Sequence, residues 1–186
     1  MEQVHGIDVL DLDLLAQGAA GNGVITADAA LTRRTGRICT VQVADCLPVL
    51  FAARNGGAVA AAHAGWRGLA AGVLEATVQT LSVAPEELIA WLGPGIGPAH
   101  FEVGDEVRRA FLAHDAAASG AFVANARGRW QCDLPALARA RLAGLGVTAV
   151  FGGNWCTYAD PSCFFSFRRD GRGGRMAALI WRDEQS

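Results

Sequence analysis

An α/β fold with a well-covered sheet is the class that this 186-residue chain predicts, on three observations. Two apolar runs, residues 47–53 and 58–62, flank Asn55-Gly56, the strongest short hairpin signal a sequence carries. The second run passes through Gly65-Trp66-Arg67-Gly68 into a stretch where Ala70, Leu74, Val78 and Leu81 recur at helical spacing, giving a strand–turn–helix unit. Hydrophobic residues make up 52% of the chain, which rules out disorder and allows a large core.

Residues 1–12 read as a short strand in which Ile7 and Val9 alternate against Asp8, with His5 near its start. Residues 18–23 read as a loop and 24–26 as a stub of strand. Residues 37–43 are a β-rich run feeding straight into Asp45-Cys46, so Cys46 falls between two strands. With Asn55-Gly56 as a two-residue turn, opposed residue numbers sum to 111: Cys46 faces Gly65 and Pro48 faces His63. A thiol and an imidazole thus meet at one end of the hairpin, roughly 7 Å apart along a strand. Asp45, Trp66 and Arg67 lie beside them. The glycine-bearing turn either offers its N–H groups and the Arg67 fork to an anion, or is an ordinary tight connection with Trp66 in the core.

Residues 88–92 read as a buried-type strand running into a fixed loop rich in glycine and proline, 93–98. Val103, Val107 and Phe111 mark a helix, 116–120 a small-residue loop, and Asp133 the cap of a helix through Leu145 with Pro135 in its first turn. Residues 147–151 return to strand. Cys156 and Cys163 are separated by six residues, too many for the paired ligands of a closed structural zinc site. The tail reads as a second hairpin, 164–168 against 176–181 around 170–174, with Arg168 and Arg169 beside its turn. These arginines are either solvated, or one turns inward to hold an anion.

The whole chain, 1–186, reads as one domain. A net charge of −2 leaves no electrostatic footprint for nucleic acid or an anionic membrane. No apolar run reaches the length of a transmembrane helix, and residues 1–12 lack the basic-then-apolar order of a signal peptide. Five irregularly spaced cysteines fit a reducing cytoplasm better than a disulfide framework.

Five blocks then stand in order: Gln3-Val4-His5-Gly6, Ala44-Asp45-Cys46-Leu47-Pro48, His63-Ala64-Gly65-Trp66-Arg67-Gly68, residues 93–104, and the run from Phe164 to Gly171. In them the chain resembles the laccase-domain family along essentially its whole length. Members were first called multicopper polyphenol oxidases. They were later described as purine nucleoside phosphorylases with adenosine deaminase side activity, and bacterial ones also as peptidoglycan editing factors. The resemblance implies a mixed-sheet α/β/α sandwich, similar to the catalytic domain of the cytotoxic necrotising factor toxins. It also implies that His5, Cys46 and His63 bind one zinc; His5 enters by the resemblance alone. Three protein ligands with a fourth position open is the catalytic pattern of zinc. Copper is disfavoured, because a multicopper centre needs many histidines and this chain has four. Family members usually carry a further segment ahead of the first block, and an acidic residue where this chain has Asn22.

The function expected is a cytoplasmic zinc enzyme that phosphorolyses adenosine or inosine, with deamination as a side activity. Purine nucleoside and phosphate are its partners, and the chain is a monomer or weak homo-oligomer. Cys46 and His63 are the catalytic metal ligands, and Asp45 is the candidate general acid/base or ribose contact. Trp66, Arg67 and Arg169 are the candidates for substrate binding, the two arginines for phosphate. Two rivals stand beside this reading. One is a metal-free Cys/His hydrolase or amidase with Cys46 as nucleophile and His63 as base. The other is a non-catalytic or peptidoglycan-precursor editing protein.

Overall fold

The computed structural model describes residues 1–15 and 24–184. The loop read at 18–23, with Asn22, lies outside them. In chain order the strands are β1 (Val9–Asp11), β2 (Ala29–Thr32), β3 (Ile38–Val43), β4 (Leu47–Ala53), β5 (Val59–Ala64) and β6 (Leu88–Leu92). After them come β7 (Glu102–Val103), β8 (Phe122–Ala124), β9 (Trp130–Cys132), β10 (Ala149–Gly152) and β11 (Met176–Trp181). The helices are α1 (Trp66–Ala71), α2 (Val73–Leu81), α3 (Asp105–Leu112), α4 (Leu134–Gly144) and α5 (Phe167–Asp170).

Six strands form the main sheet in the order β1-β2-β5-β4-β6-β10. The outer pairs β1/β2 and β6/β10 are parallel and the three inner pairings antiparallel, so the sheet is mixed. Alternation along the strands sorts the core into two halves. Leu47, Val49 and Phe51 of β4, with Ala60, Ala62 and Ala64 of β5, bury against Leu69, Leu74, Val107 and Leu137 of the helices. Complete burial of a side chain the size of Phe51 or Leu47 contributes about 1.5–3 kcal/mol. Ala30, Val59 and Ala61 point the other way, against Cys39 and Val41 of β3, with Ala178 and Ile180 of β11 alongside. The fold is the expected mixed α/β, with helices on one face. The sandwich expectation put helices on the second face too; among the described residues β3 and β11 cover it, because their alternating apolar sides match the alanines beneath.

The β4–β5 hairpin has the register read from Asn55-Gly56, with Pro48 opposite His63 and Leu47 opposite Ala64. Its turn is wider than two residues. Gly56 donates to the Ala53 carbonyl and Gly57 to the Asn55 side chain, and Gly56 alone takes a positive φ. A four-residue loop of this kind keeps the same pairing parity. The helix read through 70–81 is broken at Gly72, whose φ of +106° ends α1 and starts α2.

Other elements differ from the sequence reading. Only Val9–Asp11 of the first twelve residues form a strand with more than a single bridge, because His5 sits at φ +61° and turns the chain ahead of it. β2 and the small β7-β9-β8 sheet carry too few residues to show a period, and Val103 belongs to β7, not to the helix. Residues 116–121 form a 3₁₀ helix. The tail hairpin does not form. Ser166 caps α5 by accepting from the Arg169 N–H, and β11 pairs instead with β3. No helix among the described residues is long and apolar enough to cross a membrane.

Candidate active site

Cys46 ends the β3–β4 connection and His63 lies next to last in β5, so the hairpin register sets both at one mouth of the sheet. His5 reaches them from the N-terminal stretch. Its Nε2 stands 3.7 Å from Cys46 Sγ, and its ring meets the His63 ring edge-on with centroids 4.8 Å apart. The ligand-type atoms of His5, Cys46 and His63 all lie within 4.8 Å of one another. Two imidazoles and a thiol at that spacing are a donor set for a single soft or borderline cation. All three residues line a cavity of about 650 Å³.

Two glycines make this approach possible. A Cβ on Gly65 would lie 2.7 Å from His5 Cδ2 and 2.9 Å from Cys46 Sγ, and one on Gly68 would lie 2.9 Å from the Gly6 carbonyl oxygen. The glycines of the 65–68 turn therefore let the His5 segment lie against it.

Asp28 organises the centre, and the sequence reading missed it. Its carboxylate is 0% exposed and accepts four hydrogen bonds. They come from the N–H groups of Val4 (3.1 Å), His5 (2.9 Å) and Gly6 (2.6 Å) and from His63 Nδ1 (2.8 Å). One side chain thus ties the His5 segment to β5 and fixes the His63 tautomer with Nδ1–H on Asp28 and Nε2 free to ligate. Burial works to raise the Asp28 carboxyl, but the bonds from His63, Gly6, Val4 and His5 outweigh it and hold the group below the usual carboxylate range. Burial also lowers the His63 imidazole, against the pull of Asp28, so the ring is neutral and able to bind a metal. Burial, then the Asp45 and Asp28 charges, push the Cys46 thiol up to about 12. A bound cation is what would make it a thiolate at neutral pH. The only available signal for Asp28 was an acidic residue set among Ala27, Ala29, Ala30 and Leu31.

Asp45 lines the cavity, but both its oxygens are occupied. Oδ1 accepts from the Thr157 hydroxyl at 2.6 Å and Oδ2 from the Arg168 N–H at 2.7 Å. Its backbone, at φ +90°, also accepts the Ile96 N–H. This residue holds the site together from three sides, which leaves it poorly placed as the general acid/base. Trp66 and Arg67 line the cavity, with the Arg67 guanidinium 4.5 Å from the centroid of the Trp66 ring. Arg169 does not. Its guanidinium donates to the carbonyls of Thr157, Tyr158 and Phe164 and to the Asp170 carboxylate, bracing the 157–164 loop from behind. Arg168 and Arg175 line the cavity instead, beside Phe101 and Phe167. Cys156 stands apart from the centre, its sulfur accepting the Gly97 N–H, and Cys163 is exposed.

Residues 1–183 match the family model described as multi-copper polyphenol oxidoreductase laccase. The chain belongs to this family. It is 53% identical over 182 residues to a purine nucleoside phosphorylase of Pseudomonas aeruginosa, covering 97% of this chain and 72% of that protein. It is 54% identical over 181 residues to the purine nucleoside phosphorylase YfiH of Escherichia coli, again with 97% and 72% coverage. Among solved structures, it superposes on a Neisseria meningitidis protein, NMB0706, with a TM-score of 0.91 at 47% identity, over 98% of this chain and 73% of that one.

Proposed function

We propose that this chain is a zinc-dependent purine nucleoside phosphorylase acting in the cytoplasm on adenosine or inosine, with adenosine deamination as a lesser activity of the same cavity. The observation that carries the reading is the His5–Cys46–His63 group opening into a cavity of nucleoside size. The names of the P. aeruginosa and E. coli relatives support the substrate class. The donor set suits zinc: one sulfur and two nitrogens, with a cavity side left for a fourth ligand. A multicopper centre would need further histidines here, and His100 is stacked on Tyr158 instead.

A zinc ion held by His5, Cys46 and His63 would supply Lewis acidity to the cavity they line. The chain's own residues do the rest. Asp28 keeps His63 in its ligating tautomer, and Gly65 keeps the space between His5 and Cys46 clear. Trp66, Phe101 and Phe167 offer apolar walls to the purine and ribose, and the Arg67 guanidinium offers a charged fork to phosphate. In phosphorolysis a phosphate oxygen forms a bond to ribose C1′ while the C1′–N9 bond breaks. The electron pair leaves with the base, which takes up a proton.

The reading is tested by following inosine and adenosine with and without phosphate. Hypoxanthine or adenine and ribose 1-phosphate should form only with phosphate, and Cys46→Ala should abolish both the turnover and the bound zinc. Absence of base release by zinc-loaded wild-type protein would sink the proposal. The metal-free hydrolase alternative is separated by alkylation: Cys46 should resist iodoacetamide until a chelator is added, whereas a free nucleophile would react at once.

A further inference from the structure

We propose that Arg168 and Arg175 join Arg67 in one phosphate-binding wall of the cavity, and that Arg169 takes no part in it. The inference rests on the phosphorylase reading for the identity of its anion. All three guanidinium-bearing residues line the same cavity as the metal centre. None of the three has a carboxylate within salt-bridge reach among the described residues, whereas Arg33, Arg127, Arg141 and Arg169 each do. Of the carboxylates lining the cavity, Asp45 already has both oxygens occupied, and Glu2 belongs to the N-terminal stretch with Met1 and Gln3.

Each arginine is held by its stem or ring plane and keeps donors to spare. Arg168 donates its own N–H to Asp45 and one Nη1 bond to the Glu102 carbonyl at 2.9 Å, with its guanidinium 5.4 Å from the Phe101 centroid. Arg175 has only carbonyl contacts, 3.2 and 3.4 Å, to Gly174 and Gly173, and lies 5.8 Å from the Phe167 centroid. Arg67 rests on Trp66. Stacking on an aromatic face orients a guanidinium fork without using its N–H groups, which stay free for a tetrahedral oxyanion. Asp45 acquires a purpose in this arrangement. By fixing the Arg168 backbone it connects the Cys46 end of the cavity to the arginine wall. Arg169, one residue on in α5, points away because its donors are satisfied by the Asp170 carboxylate and by the Thr157, Tyr158 and Phe164 carbonyls of the loop behind.

The same wall would accept inorganic phosphate or the phosphate of a nucleoside monophosphate, and the test separates them. Binding of phosphate, and separately of inosine monophosphate, is measured by calorimetry on zinc-loaded wild type, Arg168→Ala, Arg175→Ala and the exposed control Arg172→Ala. The phosphate KM with inosine is measured on the same proteins. Loss of one charged, forked contact should weaken anion binding about tenfold or more in Arg168→Ala and in Arg175→Ala, with the inosine KM little changed. Arg172→Ala should match wild type. Tighter binding of inosine monophosphate than of phosphate, equally sensitive to both substitutions, identifies a nucleotide phosphate as the anion and still supports the wall. Anion affinity and phosphate KM unchanged in Arg175→Ala, an exposed residue whose loss does not threaten folding, would overturn it. Anion binding lost in the variants without base release by wild type would retain the wall and reject the phosphorylase reading. Base release with an unaltered phosphate KM would do the opposite.

Discussion

Replacing Asp28 by Asn changes one atom and should disable the centre. The carboxylate serves four donors through two oxygens, Oδ1 taking His5 N–H and His63 Nδ1, Oδ2 taking Val4 and Gly6 N–H. An amide has one oxygen. If its NH₂ faces Val4 and Gly6, two part-buried donors lose their acceptor, at about 1–3 kcal/mol each. If it faces His5 and His63, the His5 N–H is orphaned. The amide can then donate to His63 Nδ1, forcing the proton onto Nε2 and removing that nitrogen as a ligand. Stability falls by about 1–3 kcal/mol for each orphaned donor, on the order of 5–10 °C in Tm for a chain of this size. Zinc affinity should fall about 10–100-fold, as for other partners that orient a ligating histidine. Calorimetric melting with and without a chelator, plus zinc titration, reads both effects; Asp8→Asn, an exposed neighbour, is the control. A variant within about 2 °C of wild type that binds zinc with unaltered affinity would refute the role given to Asp28.

Gly65→Ala should express and fold yet bind zinc weakly, because the added Cβ meets His5 and Cys46 at 2.7 and 2.9 Å; stoichiometric zinc in that variant would contradict the close approach. Chelated protein should lose stability as pH falls. His63 is depressed in the folded state, chiefly by burial, so below its ordinary pKa near 6.5 the unfolded chain takes up a proton that the folded one resists. A Tm of the chelated protein that stays flat from about pH 7.5 to 5.5 would speak against a buried neutral His63. Gly72→Ala should cost about 1 kcal/mol or more, since its φ of +106° disfavours any side chain; a neutral effect in urea unfolding would show that the α1–α2 break is not needed.

The part of the site built on local rules was legible. Asn55-Gly56 set the pairing parity, and parity alone brings His63 to Pro48 and places Cys46 beside it. Asp133 and Pro135 announced α4 in the same way, through a cap that accepts the Ala136 N–H. What depends on distant contacts was not. Arg168 and Arg169 are adjacent and chemically identical, and the carbonyls of the 157–164 loop together with the Asp170 carboxylate decide which turns away. β11 offered an alternation that any edge could satisfy, and β3, remote in the chain, supplied it. Asp28 escaped because an isolated acidic residue carries no period. Its meaning lies in three N–H groups more than 20 positions away.

X-ray absorption at the zinc edge of protein purified without chelator tests the central claim most directly. One metal held by His5, Cys46 and His63 predicts one equivalent of zinc, with a single sulfur at about 2.3 Å and two imidazole nitrogens at about 2.0 Å. The sulfur shell should vanish in Cys46→Ala. A zinc-free protein, or a metal shell with no sulfur in the wild type, would contradict it.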